Sequence, residues 1–117
     1  MLKDCQLDHA YIACGYTDLR LGIDGLANIV QLQFKLDPYS NTLFLFCGRK
    51  SDRIKALYWE GDGFLLLYKR LEKGKFQWPR NGEDLKKLTS QQYRWLMEGL
   101  VIEPQKSIKS VAGYTSV

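Results

Sequence analysis

The chain has 117 residues, 45% of them hydrophobic and 26% charged, a globular composition that excludes a disordered chain. That length suits one domain able to bury a core without disulfides or metal. Lys and Arg outnumber Asp and Glu by 17 to 13, a net charge of +4, which leaves nucleic acid, an anionic membrane surface and an acidic protein open as partners.

The opening Met1-Leu2-Lys3-Asp4 has no signal-peptide character, and no apolar run approaches membrane-spanning length, so a cytoplasmic protein with no membrane partner is expected. Tyr11 to Cys14 is a short apolar run before Gly15 and reads as a buried strand. Thr17 or Asp18 can cap the helix that the spacing of Leu26, Ile29, Val30 and Phe34 predicts from about Ile23 to Leu36. Gly22 and Gly25 lower its propensity by roughly 1 kcal/mol each relative to Ala, which suggests a turn or a close backbone approach. Asp37-Pro38-Tyr39-Ser40-Asn41 is a turn by composition.

Thr42 to Cys47 is apolar throughout and suits a central strand buried on both faces. A basic entry follows at Gly48-Arg49-Lys50-Ser51-Asp52. Ile54 to Trp59 and Phe64 to Leu71 are strand-like runs joined by Glu60-Gly61-Asp62-Gly63, where Asp-Gly tolerates the positive φ of a tight hairpin turn. Glu72-Lys73-Gly74 separates Leu71 from Lys75 to Trp78, and a glycine third in a three-residue loop suits a second hairpin. Beyond Pro79, the spacing of Leu85, Leu88, Tyr93, Leu96, Met97 and Leu100 predicts a helix ending near Gly99, with Thr89 or Ser90 as its cap. The resulting fold class is α+β in the order β-α-β-β-β-β-α, with a central meander over about 53–78 and main helices at about 23–36 and 90–99. Residues 1–104 are expected as one domain and 105–117 as a flexible tail.

The basicity is local. Arg49 to Arg80 holds nine Lys/Arg against four acids, a net +5, leaving eight Lys/Arg and nine acids, a net −1, elsewhere. A two-residue turn at Asp62-Gly63 would place Trp59 across from Leu66, Leu57 across from Tyr68 and Lys55 across from Arg70. A three-residue loop at Glu72-Lys73-Gly74 would place Tyr68 across from Trp78 and Arg70 across from Phe76. One face then gathers Arg53, Lys55, Arg70, Trp59, Tyr68, Phe76 and Trp78, while Ile54, Ala56, Tyr58, Leu65, Leu67 and Leu71 turn away. Lys55 opposite Arg70 is a like-charge pair that a bridging anion would relieve. Arg49, Arg53, Lys55, Lys69, Arg70 and Lys73 are thus candidate phosphate contacts, and Trp59, Tyr68, Phe76 and Trp78 candidates for base stacking or partner docking. The alternative for the aromatics is a core position under a helix, which must cover at least one sheet face.

No catalytic pattern stands out. Three cysteines, Cys5, Cys14 and Cys47, form no Cys-x-x-Cys pair and His9 is the one histidine, which argues against zinc and against a disulfide framework. Cys14 and Cys47 lie in apolar runs and read as reduced core residues. Of the carboxylates that a metal-dependent nuclease would need, Asp62, Asp18 and Glu72 are better explained by turns and capping, which leaves Asp24, Asp52 and Glu60. Neither phosphate-binding glycine pattern is present. No enzyme, metal or cofactor is expected.

Several strings carry a resemblance. They are Ala13-Cys14-Gly15-Tyr16-Thr17-Asp18-Leu19-Arg20-Leu21-Gly22-Ile23-Asp24-Gly25-Leu26, Asp52-Arg53-Ile54-Lys55-Ala56-Leu57-Tyr58-Trp59, Gly63-Phe64, Tyr68-Lys69-Arg70-Leu71-Glu72-Lys73-Gly74-Lys75-Phe76 and Trp78-Pro79. Together they resemble the TnpB-type accessory protein, the second-open-reading-frame product, of the bacterial insertion-sequence family numbered sixty-six. Leu88-Thr89-Ser90-Gln91-Gln92 approximates that family's Leu-Thr-x-x-Gln. Leu100-Val101-Ile102-Glu103-Pro104 departs from its Trp-Arg-Arg ending. The resemblance implies a small protein encoded beside a separate, larger transposase and needed for efficient transposition, with no established catalytic residues to carry over. The expected function is a non-enzymatic transposition accessory protein that binds DNA, the transposase of the same element, or both. The alternative is an interaction module that docks the transposase through an aromatic sheet face without contacting DNA.

Overall fold

The computed structural model describes residues 9–82 and 84–99; the tail expected beyond Pro104 lies outside them. Its strands are β1 (His9–Ala13), β2 (Thr42–Cys47), β3 (Arg53–Trp59), β4 (Phe64–Arg70) and β5 (Leu85–Leu88). Its helices are α1 (Ile23–Asn28), which runs on into a π turn at Ile29–Gln33, and α2 (Ser90–Met97). The strands form one sheet in the order β4-β3-β2-β1-β5. β1 and β2 pair in parallel, and the other three pairings are antiparallel. The α+β class expected from the sequence is the one observed, but the fifth strand is Leu85–Leu88 and not Lys75 to Trp78. Among the described residues no helix is long and apolar enough to cross a membrane.

Both faces of the sheet are covered, which is why β2 is buried at all six positions. Alternation sends Phe44, Phe46 and Leu57 to the side closed by Leu26 and Val30 of α1 and its π turn. Leu43, Leu45, Ile54 and Ala56 go to the side closed by Tyr93, Leu96 and Met97 of α2. α2 begins with a capping box: Gln92 N donates to Thr89 Oγ1 at 3.0 Å and Thr89 N to Gln92 Oε1 at 2.9 Å. That reciprocal pair satisfies two of the donors that a helix start leaves open, and it gives the Leu88-Thr89-Ser90-Gln91-Gln92 string a structural reason. Cys47 is buried and Cys14 half-buried.

Four expectations are corrected. The β3–β4 hairpin turns through four residues, Glu60 to Gly63, closed by Glu60 N donating to Gly63 O at 2.9 Å. Gly61, not Gly63, takes the positive φ of 96°. The register moves by two residues, so Lys55 faces Tyr68 and the like-charge rung is Arg53 opposite Arg70. A shift of two keeps every side chain on its face, and it sets Trp59 opposite Phe64, where Trp59 meets Phe64 and Tyr39 edge-on at 4.9 Å and Tyr39 and Phe64 lie tilted at 5.1 Å.

Second, Lys75 to Trp78 forms no strand. The chain turns at Glu72-Lys73-Gly74, and Leu71 N and Phe76 N then donate to the carbonyls of Asp52 and Ser51, both at 2.7 Å. Phe76 and Trp78 therefore join the core on the α2 side, not the face that carries Arg53, Lys55 and Tyr68. The buried indole N–H of Trp78 donates to Ala13 O at 2.9 Å, as a buried Trp requires.

Third, Leu85 to Leu88 is an edge strand and not the start of a helix, pairing Ala13 with Leu85 and Ala10 with Leu88. Spacing of three suits one helix face, but in a strand it puts the two leucines on opposite faces. Leu85 packs with the α1-side core and Leu88 with the α2-side core.

Fourth, neither Thr17 nor Asp18 caps α1, whose N-cap is Gly22 with no side-chain bond. Asp18 lies too far upstream and binds Arg20 instead.

The separation of core and surface aromatics is measurable by urea unfolding. Trp78→Ala should cost about 3–5 kcal/mol through the cavity and the orphaned carbonyl. Tyr68→Ala, at a half-exposed position, should stay within about 1 kcal/mol. Equal losses for the two variants would contradict the assignment.

Candidate nucleic-acid interface

Because β1 and β2 run in parallel, the loops that leave their C-terminal ends emerge side by side, the position where open sheets with parallel strands place ligands. One is the segment from Cys14 to Gly22 and the other runs from Gly48 to Asp52. Thr17 N donates to Cys47 O, at the entry to the second loop, and Gly15 N to Pro79 O in the stretch after the hairpin, both at 2.9 Å. Gly15 has φ 83°, and a Cβ there would come within 2.9 Å of Gly82 O, so both the turn and the close approach need glycine. Lys55, which projects from β3 toward the same side, donates its Nζ to Leu21 O at 2.9 Å.

Arg80 is the central fastener. Its Nη1 donates to Gly15 O at 2.7 Å and its Nη2 to Ser51 Oγ at 2.9 Å, with Cys47 Sγ at 3.6 Å. Its guanidinium lies 4.3 Å from the centroid of the Tyr16 ring, and that of Arg49 lies 5.2 Å from it. Tyr16 is thus held through both neighbours and yet is 58% exposed. Burial pushes the Cys47 thiol above its usual range, opposed by the nearby positive charge of Arg80.

The two loops and the start of the hairpin enclose a cleft of about 740 Å³ lined by Tyr16, Asp18, Arg20, Arg49, Lys50, Arg53 and Tyr68, among others. Four of these side chains are cations and one is an acid. Asp18 accepts from Arg20 N, Nε and Nη2 at 2.9 to 3.0 Å, and those bonds hold its carboxyl down at about 2. Arg53 forms a two-pronged pair with Asp52, Nε to Oδ1 at 2.9 Å and Nη2 to Oδ2 at 3.3 Å. That hydrogen bonding lowers the Asp52 carboxyl below its ordinary value and raises the guanidinium of Arg53. The paired acids fix the arginines in place without cancelling the excess of positive charge. A second hollow of about 540 Å³ on the α1 side shares Tyr16, Thr17 and Asp18 with the first.

Of the residues picked from the sequence, Arg49, Arg53 and Tyr68 meet in this cleft. Arg70 sits beside Arg53 on the adjoining strand, 57% exposed, with Glu72 at 4.0 Å. Lys55 is engaged with the loop carbonyl. Lys69 pairs with Ile54 and shares its α2-side face, and Lys73 is exposed in the turn after β4. Trp59 stands at the opposite end of the hairpin, and Phe76 and Trp78 are core. Sequence reasoning passed over Tyr16, Arg20, Lys50 and Arg80. The signal that would have found them is the strand–helix–strand order leading into a β2 that is apolar from Leu43 to Cys47, which implies a parallel pair and therefore loops that share one end.

The family model described as IS66 Orf2 like protein matches residues 8–107 of the chain. The chain belongs to that family. As an IS66 Orf2-like protein it has a transposition-associated accessory role. It is 36% identical over 100 residues to the Sinorhizobium fredii protein called Uncharacterized protein y4hO, covering 86% of the chain and 87% of that protein. It is 33% identical over 89 residues to Uncharacterized protein y4jC of the same organism, covering 76% of each. No solved structure matches it.

The Asp18–Arg20 clamp can be read by carboxyl titration in NMR. Asp18 should titrate near its folded value of about 2, below its ordinary 3.8. In Arg20→Ala the midpoint should rise back toward 3.8. Since the folded value is depressed, the clamp supports the loop above the ordinary value and is lost as pH falls through the folded one. An unchanged midpoint in the variant would remove Arg20 as the cause.

Proposed function

We propose that this IS66 Orf2-like protein is a non-enzymatic accessory factor that contacts DNA in the cytoplasm through the cleft at the C-terminal end of the β1–β2 pair. The observation that carries this reading is the convergence of Arg20, Arg49, Lys50 and Arg53 around two exposed tyrosines. Clustered Lys and Arg supply the sequence-independent part of nucleic-acid affinity by displacing counterions from phosphates. Arg53 and Arg70, opposed on neighbouring strands, repel each other in the free protein, and a phosphate near both relieves that repulsion.

Affinity for element-end DNA measured against salt tests the reading. The double variant Arg49→Glu, Lys50→Glu alters two exposed side chains and should weaken binding at least about ten-fold near 0.1 M salt. It should also flatten the slope of log affinity against log salt by about 2. Lys69→Glu, on the other face, should change neither. Unchanged affinity and slope in the double variant would overturn the cleft as the DNA contact.

The transposase of the same element is the second proposed partner. Tyr39, 55% exposed, caps the Trp59–Phe64 pair at the far end of the hairpin. Aromatic side chains of this kind anchor protein interfaces. Tyr39→Ala with Trp59→Ala should abolish co-purification with that transposase while leaving DNA affinity intact. Retained co-purification would remove this end as the docking site.

A further inference from the structure

Building on the DNA-contact reading, we infer that the cleft accepts an unpaired strand: Tyr16 is a platform on which a base stacks, while Arg49, Lys50 and Arg53 hold the flanking phosphates. An aromatic side chain ordinarily reaches low free energy by burial, yet Tyr16 is 58% exposed and is nevertheless fixed. Gly15 is bonded through both its N–H and its carbonyl, and Thr17 through its N–H. Arg80, itself tied to Gly15 and Ser51, lies against the ring at 4.3 Å. Much of the ordering that a binding ring must undergo is therefore already done in the free protein.

The geometry also selects the ligand. In a duplex the π faces of the bases are closed against one another, and proteins read the grooves with a helix or a ribbon. A tyrosine ring has nothing to stack on there. A base that has left the stack presents its face, and aromatic rings together with guanidinium planes are what receive it. Arg49, at 5.2 Å from the ring centroid and exposed, can turn from the ring to the incoming base or its phosphate. Tyr68, 52% exposed and lining the same cleft, supplies a second ring for a neighbouring base. The cleft volume of about 740 Å³ is within the roughly 300–1,000 Å³ of sites that enclose a small organic ligand.

The test compares an oligodeoxynucleotide of about 12 nucleotides, a length one small domain covers, with the same strand annealed to its complement, each bound to the full chain. The single strand should bind at least about ten-fold more tightly. A 2-aminopurine in it should lose fluorescence on binding. Tyr16→Ala should weaken single-strand binding by about 5- to 150-fold, the span of one lost stacking contact, and abolish the quenching. Tyr16→Phe should retain both single-strand affinity and quenching. Tyr68→Ala, at a site outside the Arg80 network, checks the second ring independently. Duplex bound as tightly as single strand, or single-strand affinity unchanged in Tyr16→Ala, would overturn the inference. If duplex binds through Arg49 and Lys50 while the single strand does not, only this inference falls. If neither form binds, the DNA-contact reading falls with it.

Discussion

The parallel pairing of β1 with β2 is the constraint on which the rest depends. A parallel pair needs a crossover between its strands, and here α1 and its π turn make that crossover and seal one face of the sheet. The other face must then be sealed from elsewhere in the chain. Phe76 and Trp78 do so from the stretch after the hairpin, and α2 completes the cover. The same pairing fixes where the variable chemistry can go. Two loops leave the sheet at one end, close enough for Thr17 N to reach Cys47 O, so residues 30 positions apart in the chain act as one surface.

That surface carries more positive charge than its own acids neutralise. Asp18 and Asp52 are both committed to arginines, which orders Arg20 and Arg53 while leaving Arg49 and Lys50 exposed. Arg80 differs from these in kind. Its donors are spent on Gly15 O and Ser51 Oγ, and its guanidinium supports the Tyr16 ring, so it builds the site and leaves surface charge to its neighbours. Exposed ion pairs contribute little to stability, so the stability of this end rests on backbone bonds and on Arg80.

What was legible in the sequence follows from which physical signals are local. β2 could be read directly, because the five apolar residues in a row that follow Thr42 need cover on both sides. The faces of the β3–β4 hairpin were legible even though its turn was not. The period of two makes a two-residue slip invisible to any argument about faces, and only the rungs change, from Lys55–Arg70 to Arg53–Arg70. Phe76 and Trp78 failed because Glu72-Lys73-Gly74 looks like a hairpin loop whether or not a strand follows. The decision belongs to the uncovered α2-side core, a tertiary demand. Leu85 and Leu88 failed because a spacing of three means one face on a helix and two faces on a strand, and both faces of this sheet are cored. Tyr16 and Arg80, 64 residues apart in the chain, became neighbours only through the sheet order β4-β3-β2-β1-β5.

Removing Phe76 and Trp78 from the candidate surface changes the choice between DNA contact and transposase docking. With all four aromatics on one face together with the cations, the two partners would compete for the same ground. With two of the four in the core, the remaining aromatics divide by position. Tyr68 stays with Arg53 and the cleft, and Trp59 pairs with Phe64 at the hairpin tip beside Tyr39. β3 spans seven residues between these ends, about 20 Å at roughly 3.3 Å per residue. On the proposed reading a strand lying in the cleft would leave the tip free, so DNA and a protein partner could occupy one molecule at once, and an accessory protein that joined the two would act by raising the local concentration of one near the other. That role requires two separate surfaces and no catalytic residue, and the separation is set by the length of a single hairpin.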